Sequence, residues 1–146
     1  MNRTISSPLF GFGILLSSAF PCHLIAAQKI VTAAQVNGTW STEACEFQIL
    51  ALGKQRLQID FSGTYSYQSS VGPMANTGEA SGIGFIEGDT ATFKPEDAEA
   101  DCQITLKFVG DKLIVTELGS CGFGLNVTST GTYRKTSNKK PALHSK

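Results

Sequence analysis

The chain has 146 residues, 16% of them charged and 9% aromatic, with 12 basic and 12 acidic side chains, 15 glycines and four cysteines. A formal net charge of zero leaves no long-range field that would favour nucleic acid. Its two histidines, His23 and His144, lie near the chain ends, so Ser-His-Asp and Cys-His hydrolysis, His-ligated zinc and imidazole acid/base chemistry are excluded from the body.

In chain order, Arg3 precedes an apolar run over residues 9–20, followed by Ile25-Ala26-Ala27. This is the plan of a secretory signal peptide. The run contains Gly11 and Gly13 and is far shorter than the roughly twenty residues that cross a bilayer, so no stable membrane span is expected. Cleavage is expected after Ala27, with Thr32-Ala33-Ala34 as a second possible site. Cys22 follows Ala19-Phe20-Pro21, which lacks the Leu and small-residue pattern of a lipidation site. The expected location is therefore the periplasm or the secreted medium. The expected organisation is a signal peptide over 1–27, an N-terminal segment over 28–37, a single β-barrel domain over 38–134 and a flexible basic tail over 135–146. Residues 28–133 carry 6 basic against 12 acidic side chains, whereas residues from Arg134 onward carry five basic ones and no acid.

From Gly38 the hydrophobic period is two. Cys45, Phe47 and Ile49 alternate with Glu46 and Gln48, and Leu57, Ile59 and Phe61 alternate with Gln58 and Asp60. Further strands are expected over 79–86 and 90–93, joined by a Gly88-Asp89 turn. Cys102, Ile104, Leu106 and Phe108 share one face, Gly110-Asp111 turns the chain, and Leu113 and Val115 return. A last strand is expected over 125–133. The only stretch of helical composition, residues 95–100, is about a turn and a half long and opens with Pro95. Eight or nine short strands with frequent turn signals predict an all-β fold: a small antiparallel up-and-down barrel of about eight strands, with a flattened sandwich as the alternative.

Gly38-Thr39-Trp40, Gly63-Thr64-Tyr65 and Gly131-Thr132-Tyr133 resemble the opening Gly-x-Trp strand and the Gly-Thr-Tyr elements of avidin-like and lipocalin-like barrels. The resemblance implies the barrel. Avidin-like proteins wall their ligand with several tryptophans, and with Trp40 alone the likeness does not extend to biotin. A signal peptide, one small barrel and a few cysteines also resemble bacterial periplasmic lysozyme inhibitors in size, compartment and architecture, which implies a hydrolase as partner.

Beyond the leader, Cys45, Cys102 and Cys121 make an odd count in an oxidising compartment. If Val109 faces Lys112, Cys102 faces Gly119 and lies two residues from Cys121, so Cys102–Cys121 is the expected bridge. Cys45 is then a small hydrophobe on an apolar face. No Cys-x-x-Cys, zinc or phosphate-loop motif is present, and the acidic run Glu96, Asp97, Glu99, Asp101 lacks the glycine and closing Glu of an EF-hand. No cofactor or metal is expected.

The longest expected connection, residues 68–78, follows Tyr65 and Tyr67, and long connections on rigid barrels are where binding commonly sits. Tyr65, Tyr67, Ser69, Ser70, Met74 and Asn76 are the candidate binding residues there, with Phe123 in the Gly-rich segment 119–124 as a second candidate surface. The expected function is a non-enzymatic exported binding module, an inhibitor of a hydrolase such as lysozyme. The alternatives are a carrier of a small apolar ligand lined by Trp40, Tyr65, Phe85 and Phe108, or a structural protein of the cell envelope.

Overall fold

The structure, a computed structural model, describes residues 29–143. The expected signal peptide, Cys22 and His144 lie outside the described residues. A short helix α1 (Ala33–Val36) precedes eight strands: β1 (Gly38–Ser41), β2 (Cys45–Gly53), β3 (Arg56–Ser69), β4 (Gly72–Glu87), β5 (Thr90–Phe93), β6 (Gln103–Val109), β7 (Lys112–Leu118) and β8 (Gly131–Ser137). Each strand pairs antiparallel with the next, and β8 returns to β1 to close the barrel. Closure leaves no edge within the barrel wall.

The expected alternation holds on β2, β3, β6 and β7. Phe47, Ile49, Leu57, Ile59, Phe61, Ile104, Leu106, Phe108, Leu113 and Val115 all point inward and are buried. Trp40 meets Phe108 edge to face with centroids 5.5 Å apart, and Phe47 packs against both Phe61 and Tyr133 at 4.9 and 5.0 Å. Side chains therefore fill the interior, as they commonly do in eight-stranded barrels.

Strand β4 hides its alternation. Gly78, Gly82 and Gly84 face inward, and the bulky Ile83 and Phe85 face out. The glycines make room: a Cβ on Gly84 would stand 2.6 Å from Ile59 Cδ1, and one on Gly82 would stand 3.2 Å from Phe93.

The two barrel ends differ. One carries tight turns: Gly88-Asp89, with Gly88 at φ 64°, Gly110-Asp111, with Gly110 at φ 63°, and Lys54-Gln55. Lys54 and Gln55 both adopt positive φ, 51° and 60°, the conformation in which side chains other than Gly and Asn are disfavoured. The pair Lys54→Asn and Gln55→Gly is expected to stabilise the fold by ~1 kcal/mol. Urea denaturation checks this; a lowered midpoint would refute strain at the turn.

Helix α1 closes the same end. Thr32 caps it with a reciprocal Thr32–Gln35 box, and Val36 enters the core. Thus the second expected cleavage site, Thr32-Ala33-Ala34, falls on the capped start of α1, and Val31 and Val36 of the N-terminal segment pack with the core. Lys135 Nζ donates to Ala34 O at 3.1 Å and Gln35 O at 2.8 Å and lies 4.9 Å from the centroid of Trp40. Burial lowers the ammonium's pKa.

Three expectations are corrected here. The last strand is β8 (Gly131–Ser137), not residues 125–133, because Asn126 takes φ 63° and the Thr128-Ser129 segment is bound elsewhere. Glu117 Oε2 accepts from Thr128 Oγ1, Ser129 N and Ser129 Oγ at 2.9–3.0 Å. The barrel consequently extends beyond residue 134 into the segment expected to be a flexible tail: Thr39 pairs with Ser137 and Trp40 with Lys135. Finally, no helix was expected, yet among the described residues one forms, α1, whereas residues 95–100, the stretch of helical composition, form turns.

Candidate functional site

The longer connections gather at the opposite end, where scaffolds commonly carry their binding surfaces. The chain over 68–78 is not a loop. It is the tip of a β-hairpin arm in which β3 and β4 pair continuously from Arg56↔Phe85 to Ser69↔Gly72, with Ser70 and Val71 as a two-residue turn. Val71 N donates to Ser69 Oγ, and Ser69 Oγ donates to Gly72 O at 2.8 Å, which fixes the turn. Pairing of β2 with β3 ends at Cys45↔Gly63, and pairing of β4 with β5 ends at Gly84↔Phe93. Residues 64–77 therefore project beyond the wall as a two-stranded ribbon.

The arm continues the side-chain alternation of the barrel. On β3 the inward series Leu57, Ile59, Phe61, Gly63 runs on into Tyr65, Tyr67 and Ser69, and on β4 Gly78 runs on into Asn76 and Met74. Tyr65 faces Asn76 and Tyr67 faces Met74 across the ribbon. Five of the candidate binding residues, Tyr65, Tyr67, Ser69, Met74 and Asn76, thus share one face, and Ser70 sits at the tip. Tyr65 and Tyr67 stack at 6.2 Å, and the Tyr67 hydroxyl lies 3.9 Å from Met74 Sδ. Tyr65, Met74 and Val71 are exposed.

Phe123 is corrected. It is only 5% exposed and packs on Phe61 at 4.8 Å, so it plugs the barrel mouth and is not a surface contact. Gly78 lets it do so, because a Cβ there would collide with the Phe123 carbonyl. Next to it Leu125, 74% exposed, stands beside the arm, and its carbonyl accepts from Asn76 Nδ2 at 2.8 Å. The expected pairing Cys102–Cys121 is formed, with Cα atoms 4.8 Å apart, and ties the 94–102 connection to the plug segment.

Of the four aromatics expected to line an apolar ligand site, Trp40 and Phe108 are core, whereas Tyr65 lies on the arm and Phe85, 63% exposed, faces outward. Sequence parity misplaced Phe85 because glycine occupies the inward positions of β4.

The outer face below the arm carries a cleft of about 360 Å³ lined by Glu46, Gln48, Asp60, Ser62, Glu79, Ser81 and Asp97, with Phe61 and Ala80 at its base. Glu46 faces Ser62, which faces Glu79, and Gln48 faces Asp60, which faces Ser81. Glu46 accepts from Ser41 Oγ and Gln48 Nε2, and Asp60 from Gln58 Nε2. These carboxylates were missed as a group, although the outward parity of Glu46 and Asp60 on their strands was readable. Among the described residues no group of three or more His, Cys, Asp or Glu is placed to hold a metal ion, and no helix is long and apolar enough to cross a membrane.

Cys45, the free cysteine of the described residues, is half-buried with Sγ 3.6 Å from Thr128 O. Tyr133, whose hydroxyl donates to Ser129 O at 2.7 Å, has its pKa pushed up by burial first, and then by Cys45 and Glu117. Both groups support the plug segment from below.

The chain is thus a closed eight-stranded up-and-down barrel with one end sealed by tight turns and the other bearing a projecting arm. No family model matches it, and no match was found among curated proteins or solved structures.

Proposed function

We propose that the protein is an exported, non-enzymatic binding module that docks a secreted hydrolase such as lysozyme through the face of the arm. The observation that carries this reading is the convergence of Tyr65, Tyr67, Met74 and Asn76 on one side of a ribbon that projects beyond the barrel wall. Aromatic and methionine side chains gathered on one face of a hydrogen-bonded ribbon supply a large contact area, which is what a binding anchor requires. The outer cleft with Glu46, Asp60, Glu79 and Asp97 favours a cationic partner and faster encounter with it.

Titration of the purified protein against a lysozyme, followed by calorimetry and by residual hydrolase activity, tests the reading. Tyr65→Ala and Met74→Asp are expected to weaken binding by at least tenfold, the range of an interface hot spot at ~2 kcal/mol, with the thermal midpoint nearly unchanged. Affinity unmoved by both substitutions would remove the arm from the interface, and absence of any binding across a panel of lysozymes would remove this partner class.

A further inference from the structure

We propose that the outer edge of β3 in the arm pairs antiparallel with the same edge of a second copy of this chain, giving a two-fold symmetric dimer. The argument starts from hydrogen-bond parity. Ser69 and Gly72 flank a two-residue turn and so form a hydrogen-bonded pair. Alternation then directs the backbone groups of Tyr67 and Tyr65 toward β4 and those of Ser66 and Gln68 away from it. Thr64 has the same parity as Ser66, and its N–H leaves the ribbon to reach Ala44 O at 2.9 Å. Beyond that bond β2 has ended, and the N–H and C=O groups of Ser66 and Gln68 form an unpaired edge.

The two edges of the arm are unequal. On β4 the outward-directed residue nearest the tip is Pro73, which has no N–H to offer a neighbouring strand. The edge of β3 has no such block. Nor has it charge: residues 61–78 contain no Asp, Glu, Lys, Arg or His, although charged side chains are a usual means by which exposed edges repel one another. An uncharged edge matches its own copy without Coulombic penalty, and because the contact is two-fold, each β3 edge using the same edge of the other copy, it closes as a dimer.

The register follows. Pairing about Tyr67 sets Ser66 opposite Gln68 of the partner copy, so the two residues exchange N–H···O=C bonds, and the two Tyr67 side chains meet at the axis in a non-hydrogen-bonded pair, the closer kind. Residue 65 then faces residue 69 of the other chain, which puts each barrel beyond the tip of the other arm and keeps the two bodies apart. The two ribbons become one four-stranded sheet. A lone two-stranded hairpin is marginal in water and three or more strands are stable, so dimerisation steadies the arm itself.

Sedimentation equilibrium of the purified protein, with no hydrolase present, is expected to give two chains per particle. Gln68→Pro removes an N–H that β4 does not use, and Tyr67→Glu sets two carboxylates face to face at the axis. Both variants are expected to sediment as monomers, and Tyr67→Glu to dimerise again once the pH is low enough to protonate the new carboxyl. If Gln68→Pro fails to fold, Tyr67→Glu, on an exposed ribbon, carries the test alone. A wild-type chain that stays monomeric at every concentration reached, or a dimer that survives Tyr67→Glu, overturns the inference. Since no partner enters the experiment, its failure leaves the docking of a hydrolase untouched, and the failure of that docking leaves the dimer standing.

Discussion

Replacement of Trp40 by Ala is expected to cost about 4 kcal/mol of folding free energy, in the range found when a large buried aromatic is truncated. Trp40 is fully buried and makes three separate connections. Its ring packs edge to face on Phe108 across the barrel. Its Nε1–H donates to Val36 O at 3.1 Å, holding the carbonyl end of α1 against the barrel. Lys135, which caps that same helix end, rests over its ring. Alanine leaves a cavity, orphans the Val36 carbonyl and removes the surface on which the Lys135 ammonium is held. Trp40→Phe keeps most of the apolar volume and loses only the donor, so its cost is expected near 1–2 kcal/mol. Since Trp40 is the sole tryptophan, the measurement is urea unfolding followed by far-ultraviolet circular dichroism. Equal losses for Phe and Ala would assign the stability to the hydrogen bond, and a loss below 1 kcal/mol for Ala would show that α1 and the core are not coupled through this residue.

The same contacts explain which parts of the fold were legible. Hairpin β6–β7 was readable to the residue, because Ile104, Leu106 and Phe108 face Leu113 and Val115 across a Gly-Asp turn, and that register alone brought Cys102 to Cys121. Where inward positions carry glycine, the signal inverts: Ile83 and Phe85 mark the outer face of β4, and the periodicity of apolar residues points the wrong way. The arm was hidden for a different reason. Ala75, Asn76 and Gly78 have little strand preference, and Pro73 reads as a breaker, yet a proline whose nitrogen faces an edge costs the ribbon no hydrogen bond. Local composition cannot report which side of a strand is an edge, since that depends on where β2 stops. Five of the seven residues chosen for binding were nonetheless gathered on one face, because the i, i+2 spacing of Tyr65, Tyr67 and Ser69 survives the change from loop to strand. Segment 119–130 had the opposite fate: Asn126, Thr128 and Ser129 lie in a stretch of strand-like composition, and the Glu117 carboxylate, brought from β7, holds it as coil.

Loss of the Cys102–Cys121 bridge is expected to be the second largest effect. The bond joins positions 19 apart in sequence, and closing a loop of that length stabilises a fold by roughly 3 kcal/mol in the chain-entropy model. For a domain of this size that corresponds to a fall of roughly 10–20 °C in thermal midpoint. The double variant Cys102→Ala with Cys121→Ala measures it without leaving a lone thiol at either site, and Cys45→Ala is the control, expected to move the midpoint little. Reductant should lower the midpoint of the wild type to that of the double variant and leave the double variant where it is. The bridge also fixes a place: it fastens the plug segment, with Phe123 on Phe61, beside the base of the arm. If its contribution were confined to the entropy of the unfolded chain, native-state hydrogen exchange in the wild type and the double variant would differ only in the globally protected amides of β2, β3, β6 and β7. If it also holds the mouth of the barrel, exchange in segment 119–130 should rise further than the global change requires, and the Asn76–Leu125 bond that steadies the arm should weaken with it. The second outcome is expected, because Phe123 reaches the core through a segment whose anchors on Glu117, Cys45 and Tyr133 hold Thr128 and Ser129, at its far end.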